Sequence, residues 1–93
     1  HNVQIGRGSL IAAFAGISGS TIVEDGVTMG GRVGVADHRV IGKGSTLAGA
    51  SAVMQDVPPG EIWMGYPAKQ MRKFLREVAW LNRKASGARN AGE

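Results

Sequence analysis

The stretch from Ile5 to Val53 decides the fold, and it divides into hexads as IGRGSL IAAFAG ISGSTI VEDGVT MGGRVG VADHRV IGKGST LAGASA V. The first residue of each hexad is aliphatic or Met nine times in succession, with no insertion. Neither the 3.6-residue period of a helix nor the two-residue period of a strand produces this pattern. Hexapeptide repeats are typical of a parallel β-helix.

The hexads predict an all-β left-handed parallel β-helix of about three coils, followed by a C-terminal α-helix; the handedness is that of the hexapeptide fold type. Three hexads make one triangular coil of about 18 residues, and coils stack about 4.8 Å apart. The residue after each aliphatic one is usually small, which we attribute to a turn of the backbone there. An ordinary Gly-rich sandwich is the competing interpretation. The predicted inner columns are Ile5–Val23–Ile41, Ile11–Met29–Leu47 and Ile17–Val35–Val53.

Proline and glycine divide the chain into segments. Pro58 and Pro59 lack the N–H groups that a further strand ladder needs. Pro67 suits the first position of a helix, and Gly87 suits its end. We therefore predict a β-helix over residues 1–57, a connecting loop or short strand over 58–66, a helix over 67–86 and a flexible tail over 87–93. Because the chain begins with His1 inside a repeat, we expect a fragment of a longer protein.

The predicted helix carries an apolar stripe and a basic face. Two heptads are too short to be stable alone, so we expect the stripe to pack in an oligomeric bundle. The stripe comprises Met71, Phe74, Val78, Leu81 and Ala85, widened by Leu75. The opposite face comprises Lys69, Arg76 and Arg83, flanked by Arg72 and Lys73.

Charge is distributed unevenly along the chain. Residues 1–66 hold four basic and five acidic residues, whereas residues 67–84 hold six basic residues and one acidic residue. This asymmetry favours a docking surface for an acidic partner, with a merely solvated face as the alternative. The chain has no Cys, which excludes disulfides and thiolate chemistry and fits a cytoplasmic protein. It has no apolar run long enough to span a membrane, and its few scattered aromatic residues argue against nucleic-acid binding.

Two histidines are the candidate chemical groups. Residues 18 apart stack in one column, so His1, Gly19 and Asp37 should lie about 5 Å from one another in turn, with His38 beside them. A neutral imidazole can take a proton from an amine or hydroxyl, and a Gly N–H can stabilise an oxyanion. This combination favours acyl transfer. Some hexapeptide proteins hold zinc through three His ligands, but only two His are present here, so we expect no metal.

Three segments resemble the UDP-3-O-acylglucosamine N-acyltransferases of lipid A biosynthesis, and the likeness extends from residue 1 to about residue 84. These segments are HNVQIG at 1–6, GISGST at 16–21 and GGRVGVADH at 30–38. The segment GYPAK at 65–69 is shared more widely among hexapeptide acyltransferases.

The resemblance implies a homotrimer that moves a (3R)-3-hydroxyacyl chain from acyl carrier protein to the 2-amine of UDP-3-O-acyl-glucosamine. It implies that His1 is the general base, that the Gly19 amide faces the thioester oxygen and that His38 lies near the thioester. Substrate contacts would come from Asn2, and from Ala52 and Met54 at the acyl-chain end, where the small Ala52 leaves room for a long chain. Acyl carrier protein, which brings phosphopantetheine as the only cofactor, would dock on Lys69, Arg72, Lys73 and Arg76.

The resemblance also implies an N-terminal uridine-binding domain, which these residues lack. We therefore expect the chain to bind the nucleotide sugar poorly, and activity of the chain alone is left open by the resemblance. Two alternatives stay open: another hexapeptide acyltransferase, either an O-acyltransferase or an acetyl-CoA-dependent enzyme, and a non-catalytic trimeric scaffold. A scaffold would have no need of His1.

Overall fold

A computed structural model describes residues 1–92, and the side chains of residues 1–87. The chain winds into a parallel β-solenoid of about three coils and ends in one helix. The coils are built of two-residue strands: β1 Gln4–Ile5, β2 Leu10–Ile11, β3 Gly16–Ile17, β4 Ile22–Val23, β5 Thr28–Met29, β6 Gly34–Val35, β7 Val40–Ile41, β8 Thr46–Leu47 and β9 Ala52–Val53. The predicted fold class is confirmed.

Three sheets form the faces of the solenoid, and within each of them strands β1–β9 pair in parallel between residues 18 apart. The first sheet has the order β1-β4-β7 and the third β3-β6-β9. The second contains β2, β5 and β8 and continues into two later strands. Ile5 pairs with Val23, and Val23 with Ile41, as the predicted columns require.

The predicted inner columns form the core. In the second and third coils Val23, Met29, Ile41, Leu47 and Val53 are at most 1% exposed. In the first coil Ile5 is 53% exposed, because no earlier coil covers it in the described chain. The residues two positions before the aliphatic ones also point inward, since side chains alternate along a strand. These include Thr21, Val27, Val33, Ser45 and Ser51, all buried.

The small residues after the aliphatic positions serve close stacking and do not make the left-handed turns. At Gly42, a Cβ would lie 2.5 Å from the Pro59 nitrogen and 2.6 Å from the Val57 carbonyl oxygen. The left-handed residues come two positions later, and six of them are not glycine. Those six are Asn2, Phe14, Ser20, Arg32, His38 and Ala50, with φ between 56° and 63°.

The β-structure continues past residue 57, and the predicted loop or short strand over 58–66 contains a strand. Val57 bridges to Ile41, and strand β10, Ile62–Gly65, pairs in parallel with β8. Pro58 and Pro59 lie between these two pairings, in the exposed turn where no ladder N–H is required. The buried Trp63 extends the column of Leu47, and its indole N–H donates to Glu61 Oε1 at 2.8 Å.

The helix does not begin at Pro67, which is a correction to the predicted boundary. A turn with a cis Tyr66–Pro67 peptide leads into strand β11, Ala68–Gln70, which pairs antiparallel with β10. Because the backbone of residues 68–70 is committed to this hairpin, the helix α1 starts only at Met71. The Gln70 side chain caps it, accepting hydrogen bonds from the N–H groups of Arg72 at 2.9 Å and Lys73 at 3.2 Å.

The far end of α1 also differs from the prediction. The helix spans Met71–Gly92 and passes through Gly87, which was expected to stop it. A glycine inside a helix costs only about 1 kcal/mol relative to alanine, and Ala and Arg residues follow it. Residues 87–92 are thus helical, and Glu93 of the predicted tail lies outside the described residues.

Candidate active site

One corner of the solenoid carries both histidines. It is formed by residues 1–2 and by the two-residue turns at 19–20 and 37–38, which stack on one another. The Ser20 N–H donates to the His1 carbonyl at 2.9 Å, and the His38 N–H donates to the Gly19 carbonyl at 3.0 Å. The structure therefore stacks His1 on Gly19 and Gly19 on the third turn, as the 18-residue spacing predicts. The chemical roles of these residues stay predictions.

Gly19 lies in close contact with the histidine turn. A Cβ on Gly19 would lie 3.2 Å from the His1 carbonyl oxygen, closer than ordinary van der Waals contact. An adjacent corner shows what an amide at this turn position can bind: the Arg7 N–H donates to Asp25 Oδ1 at 2.7 Å. The carboxylate oxygen there shows that this amide position can bind a negatively charged oxygen from outside the backbone ladder.

Sequence reasoning placed Asp37 in the column but did not assign it a partner. Its Oδ2 lies 3.0 Å from His38 Nδ1, and both side chains are about 70% exposed. The hydrogen bond to His38 lowers the pKa of Asp37 below its ordinary value of 3.8. Arg39 Nε donates to the Asp37 carbonyl at 3.2 Å and so fixes the same turn. The sequence signal for this contact was that Asp37 and His38 are neighbours in one predicted turn.

A groove runs along the third sheet, and its lining reaches the residues that precede this corner. Its lining includes Ala52 and Met54, the two residues predicted at the acyl-chain end. Ser18 and Ala36 also line it, and they immediately precede Gly19 and Asp37 in the chain. The groove and the histidine corner are therefore contiguous along the backbone. Asn2 shares the left-handed corner position with Ser20 and His38 and is exposed.

Curated relatives cover nearly the whole chain. A protein of Caulobacter sp. (strain K31) is 55% identical over 87 residues, which are 94% of this chain and 26% of that protein. Proteins of Methylorubrum populi and Caulobacter vibrioides are each 52% identical over 100% and 99% of the chain, and over 27% of their own length. All three are named UDP-3-O-acylglucosamine N-acyltransferase. This chain is a relative of the UDP-3-O-acylglucosamine N-acyltransferases.

The predicted resemblance is thereby confirmed, and the chain spans about a quarter of the length of these N-acyltransferases. No family model matches it. Two solved serine acetyltransferases share its fold. The enzyme from Brucella abortus, in complex with coenzyme A, has a TM-score of 0.58 at 19% identity and covers 73% of this chain and 38% of its own. The enzyme from Neisseria gonorrhoeae has a TM-score of 0.60 at 22% identity, with the same coverage.

The predicted basic helix face needs one correction in this N-acyltransferase relative. Lys69 lies in strand β11, so it does not belong to the helical wheel. Its Nζ donates to Glu77 Oε1 at 2.6 Å, and this bond lowers the pKa of Glu77 below its ordinary value of 4.5. Arg72, Lys73 and Arg76 are exposed on α1. Three of the four predicted docking residues thus lie on the helix, and the fourth ties the hairpin to it.

Two exposed aromatic contacts were not found from the sequence. The Arg32 guanidinium lies 5.3 Å from the centroid of the Phe14 ring, and Arg32 also lines the groove. On α1, Lys84 Nζ lies 5.6 Å from the Trp80 ring centroid. Phe14 and Arg32 lie in adjacent coils at the corner before the third sheet. Their separation of 18 residues in the sequence could have predicted this contact.

The described part of the chain holds neither a cluster of metal ligands nor a membrane-spanning helix. Among these side chains no three His, Cys, Asp or Glu residues come together as metal ligands. Within residues 1–92 no helix combines the length and the apolar character needed to cross a bilayer.

Proposed function

We propose that this chain carries the acyl-transfer site of a UDP-3-O-acylglucosamine N-acyltransferase in lipid A biosynthesis. The observation that supports it best is the stacked corner of His1, Gly19 and His38 in a chain 52–55% identical to three proteins of that name. The donor would be a (3R)-3-hydroxyacyl thioester of acyl carrier protein, with its phosphopantetheine. The acceptor would be the 2-amine of UDP-3-O-acyl-glucosamine, and the reaction would take place in the cytoplasm.

In the proposed step, residues of this corner take up one proton and stabilise one negative charge. As the amine nitrogen bonds to the thioester carbonyl carbon, His1 takes the proton that the nitrogen loses. The Gly19 N–H donates to the oxyanion that forms on the carbonyl oxygen. The C–S bond then breaks, the proton passes to the sulfur, and the products are an amide and the thiol of the carrier. His38 lies beside the thioester, and the acyl chain follows the groove past Ala52 and Met54.

The donor assignment is supported by charge. Arg72, Lys73 and Arg76 present three cations on the first two turns of α1, and acyl carrier protein is acidic. Lys69 is already paired with Glu77, so we expect it to contribute less to docking than the three helical residues. A homotrimer would place each groove against a neighbouring subunit. These points extend the proposal from acyl transfer to its carrier and its assembly.

The decisive experiment compares donors and then removes the base. The chain is incubated with a 3-hydroxyacyl thioester of acyl carrier protein and a high concentration of the nucleotide sugar, and N-acylated product is measured. We expect product with this donor and none with acetyl-CoA. His1→Ala should lower kcat by about 10²–10⁴-fold, which is the range for loss of a general base.

Gln55→Ala is the matched control, because Gln55 is exposed and has no assigned role. Transfer from acetyl-CoA alone would replace this proposal with an acetyl-CoA-dependent enzyme. Full transfer by the His1→Ala variant would remove His1 as the base. A folded chain without activity towards any donor, even when joined to the remainder of a relative's sequence, would leave the scaffold interpretation.

A further inference from the structure

We propose that Asp37 is a positioning residue for His38, which it holds in the tautomer that carries its proton on Nδ1. The catalytic consequence of this inference rests on the proposed acyl transfer, whereas the tautomer itself does not. The basis is the 3.0 Å separation between Asp37 Oδ2 and His38 Nδ1. The carboxylate and the imidazole belong to consecutive residues of one turn.

The backbone keeps these two side chains together. His38 has a φ of 56°, and its N–H is bound to the Gly19 carbonyl of the preceding coil at 3.0 Å. The Asp37 carbonyl accepts a hydrogen bond from Arg39 Nε at 3.2 Å. The carbonyl and the N–H of the peptide unit that joins Asp37 to His38 are therefore both hydrogen-bonded. Little conformational freedom of the backbone is lost when the two side chains pair.

The protonation of the pair follows from the chemistry of the acceptor. An ionised carboxylate has no proton to donate, so a neutral imidazole that bonds to it must donate from Nδ1. Arg39 Nε does not bond to this carboxylate: it donates to the Asp37 carbonyl and lies 3.8 Å from Asp56 Oδ1. Nε2 of His38 is then left with a free lone pair.

A free Nε2 gives His38 a definite role beside the thioester. It can accept a hydrogen bond or a proton from a hydroxyl or amine of the substrate, and the opposite tautomer cannot do so at that atom. Loss of Asp37 should therefore lower kcat and leave KM unchanged, because it changes the population of the competent tautomer and no binding contact. The pair is exposed, so the tautomer ratio should fall about two- to fivefold, in the range of surface ion pairs, and kcat should fall by a smaller factor.

The tautomer is measured by NMR on the chain labelled with ¹⁵N in histidine, about two pH units above the ordinary imidazole pKa of about 6.5. We expect His38 to be predominantly protonated on Nδ1. Asp37→Ala should lower the ratio of Nδ1–H to Nε2–H about two- to fivefold. Asp37→Asn keeps an acceptor oxygen without the charge, so its tautomer ratio should lie between those of the unmodified chain and Asp37→Ala.

Asp25→Ala is the matched control, because Asp25 occupies the same turn position in another corner and bonds to the Arg7 amide instead of a histidine. It should leave the His38 ratio unchanged. A predominantly Nε2-protonated His38 in the unmodified chain, or an unchanged ratio in Asp37→Ala, would overturn the proposal.

Acyl transfer by the same variants separates this proposal from the preceding one. A fall in kcat that follows the Nδ1-protonated fraction of His38 supports Asp37 as a positioning residue. A shifted ratio with unchanged kcat overturns its role in the reaction. If the unmodified chain transfers no acyl group, the proposed function fails on its own, and the tautomer ratio still decides whether Asp37 sets the state of His38.

Discussion

Each corner of the solenoid makes two separate demands on single residues. The position after each inward aliphatic residue is small except at Glu24 and Met54, and at Gly42 the next coil passes too close to leave room for a Cβ. The position two residues later must be left-handed, yet it accepts Phe14 and Arg32 as well as glycine. The sequence pattern shows the first demand clearly. It hides the second, because the non-glycine residues at that position share no side-chain property.

Gly42 should therefore be among the least replaceable residues. Gly42→Ala places a Cβ within 2.6 Å of the backbone of Val57 and Pro59, which cannot move without disturbing the last turn of the solenoid. We expect a loss of about 1–3 kcal/mol in the free energy of unfolding, as for other overpacked cores. Thermal unfolding followed by circular dichroism measures it.

Gly34→Ala provides the comparison, since a Cβ at Gly34 would meet no atom within 4 Å. It should leave the unfolding temperature nearly unchanged. Equal destabilisation by the two substitutions would show that loss of glycine itself, and not the contact with Val57 and Pro59, is responsible.

At the scale of elements, the hairpin of β10 and β11 explains where helix α1 begins. Gly65 adopts a φ of 112°, and a Cβ there would lie 2.8 Å from the Phe74 ring, so the hairpin and the first helical turns pack closely. Proline at position 67 is compatible with a helix start and with a turn, and local propensity does not distinguish them. The choice is made by pairing of Trp63 with Gln70, a contact that no local pattern reveals.

The Lys69–Glu77 bond ties strand β11 to α1 and should make their stability depend on pH. The pKa of Glu77 is lower in the folded chain, so the stabilisation is present above its ordinary value of 4.5 and is lost as the pH falls through the folded pKa. Glu77→Gln should therefore lower the unfolding temperature near neutral pH. Once the pH has fallen below the folded pKa of Glu77, the variant and the original chain should converge.

Lys69→Met and the double variant complete a thermodynamic cycle for this pair. Near neutral pH the two single substitutions should have less than additive effects. Additive effects, or a Glu77→Gln difference that persists in acid, would show that the 2.6 Å contact does not stabilise the folded chain.

At the scale of the whole molecule, α1 carries more apolar surface than one chain covers. Met71 and Phe74 are half-buried against the hairpin, while Leu75, Trp80 and Leu81 are 50%, 54% and 61% exposed. The heptad spacing predicted that a bundle of helices would cover this stripe. Trp80 was not part of the predicted stripe, and it enlarges the apolar surface beyond the a and d positions.

Leu81→Glu should weaken the proposed homotrimer. A carboxylate at the centre of a bundle would lose its hydration without gaining a partner. We expect sedimentation velocity to show a trimer for the original chain and a shift towards monomer for the variant. Arg83→Gln, an exposed change two residues away, should keep the trimeric mass. A monomeric original chain would contradict the proposed assembly.

The sequence was most informative wherever the six-residue period applies. Arithmetic on that period predicted the buried columns through Val23, Met29 and Val35, and it also predicted the stacking of His1 on Gly19. It could not predict the Asp37–His38 bond, which depends on side-chain rotamers within a turn. It could not predict the salt bridge between Lys69 and Glu77 either, since that contact follows from the antiparallel hairpin outside the repeat.

The left-handed corner positions have a consequence for how such a chain can change. Asn2, Phe14, Ser20, Arg32, His38 and Ala50 differ in size, charge and chemistry, yet their φ angles agree within 7°. The neighbouring coils hold the backbone at these points, so folding does not depend on which side chain occupies them. A lineage can therefore exchange one corner residue for another and alter the chemistry of a groove while the scaffold stays the same. Each corner of the solenoid thus offers one position per coil at which the side chain can be exchanged.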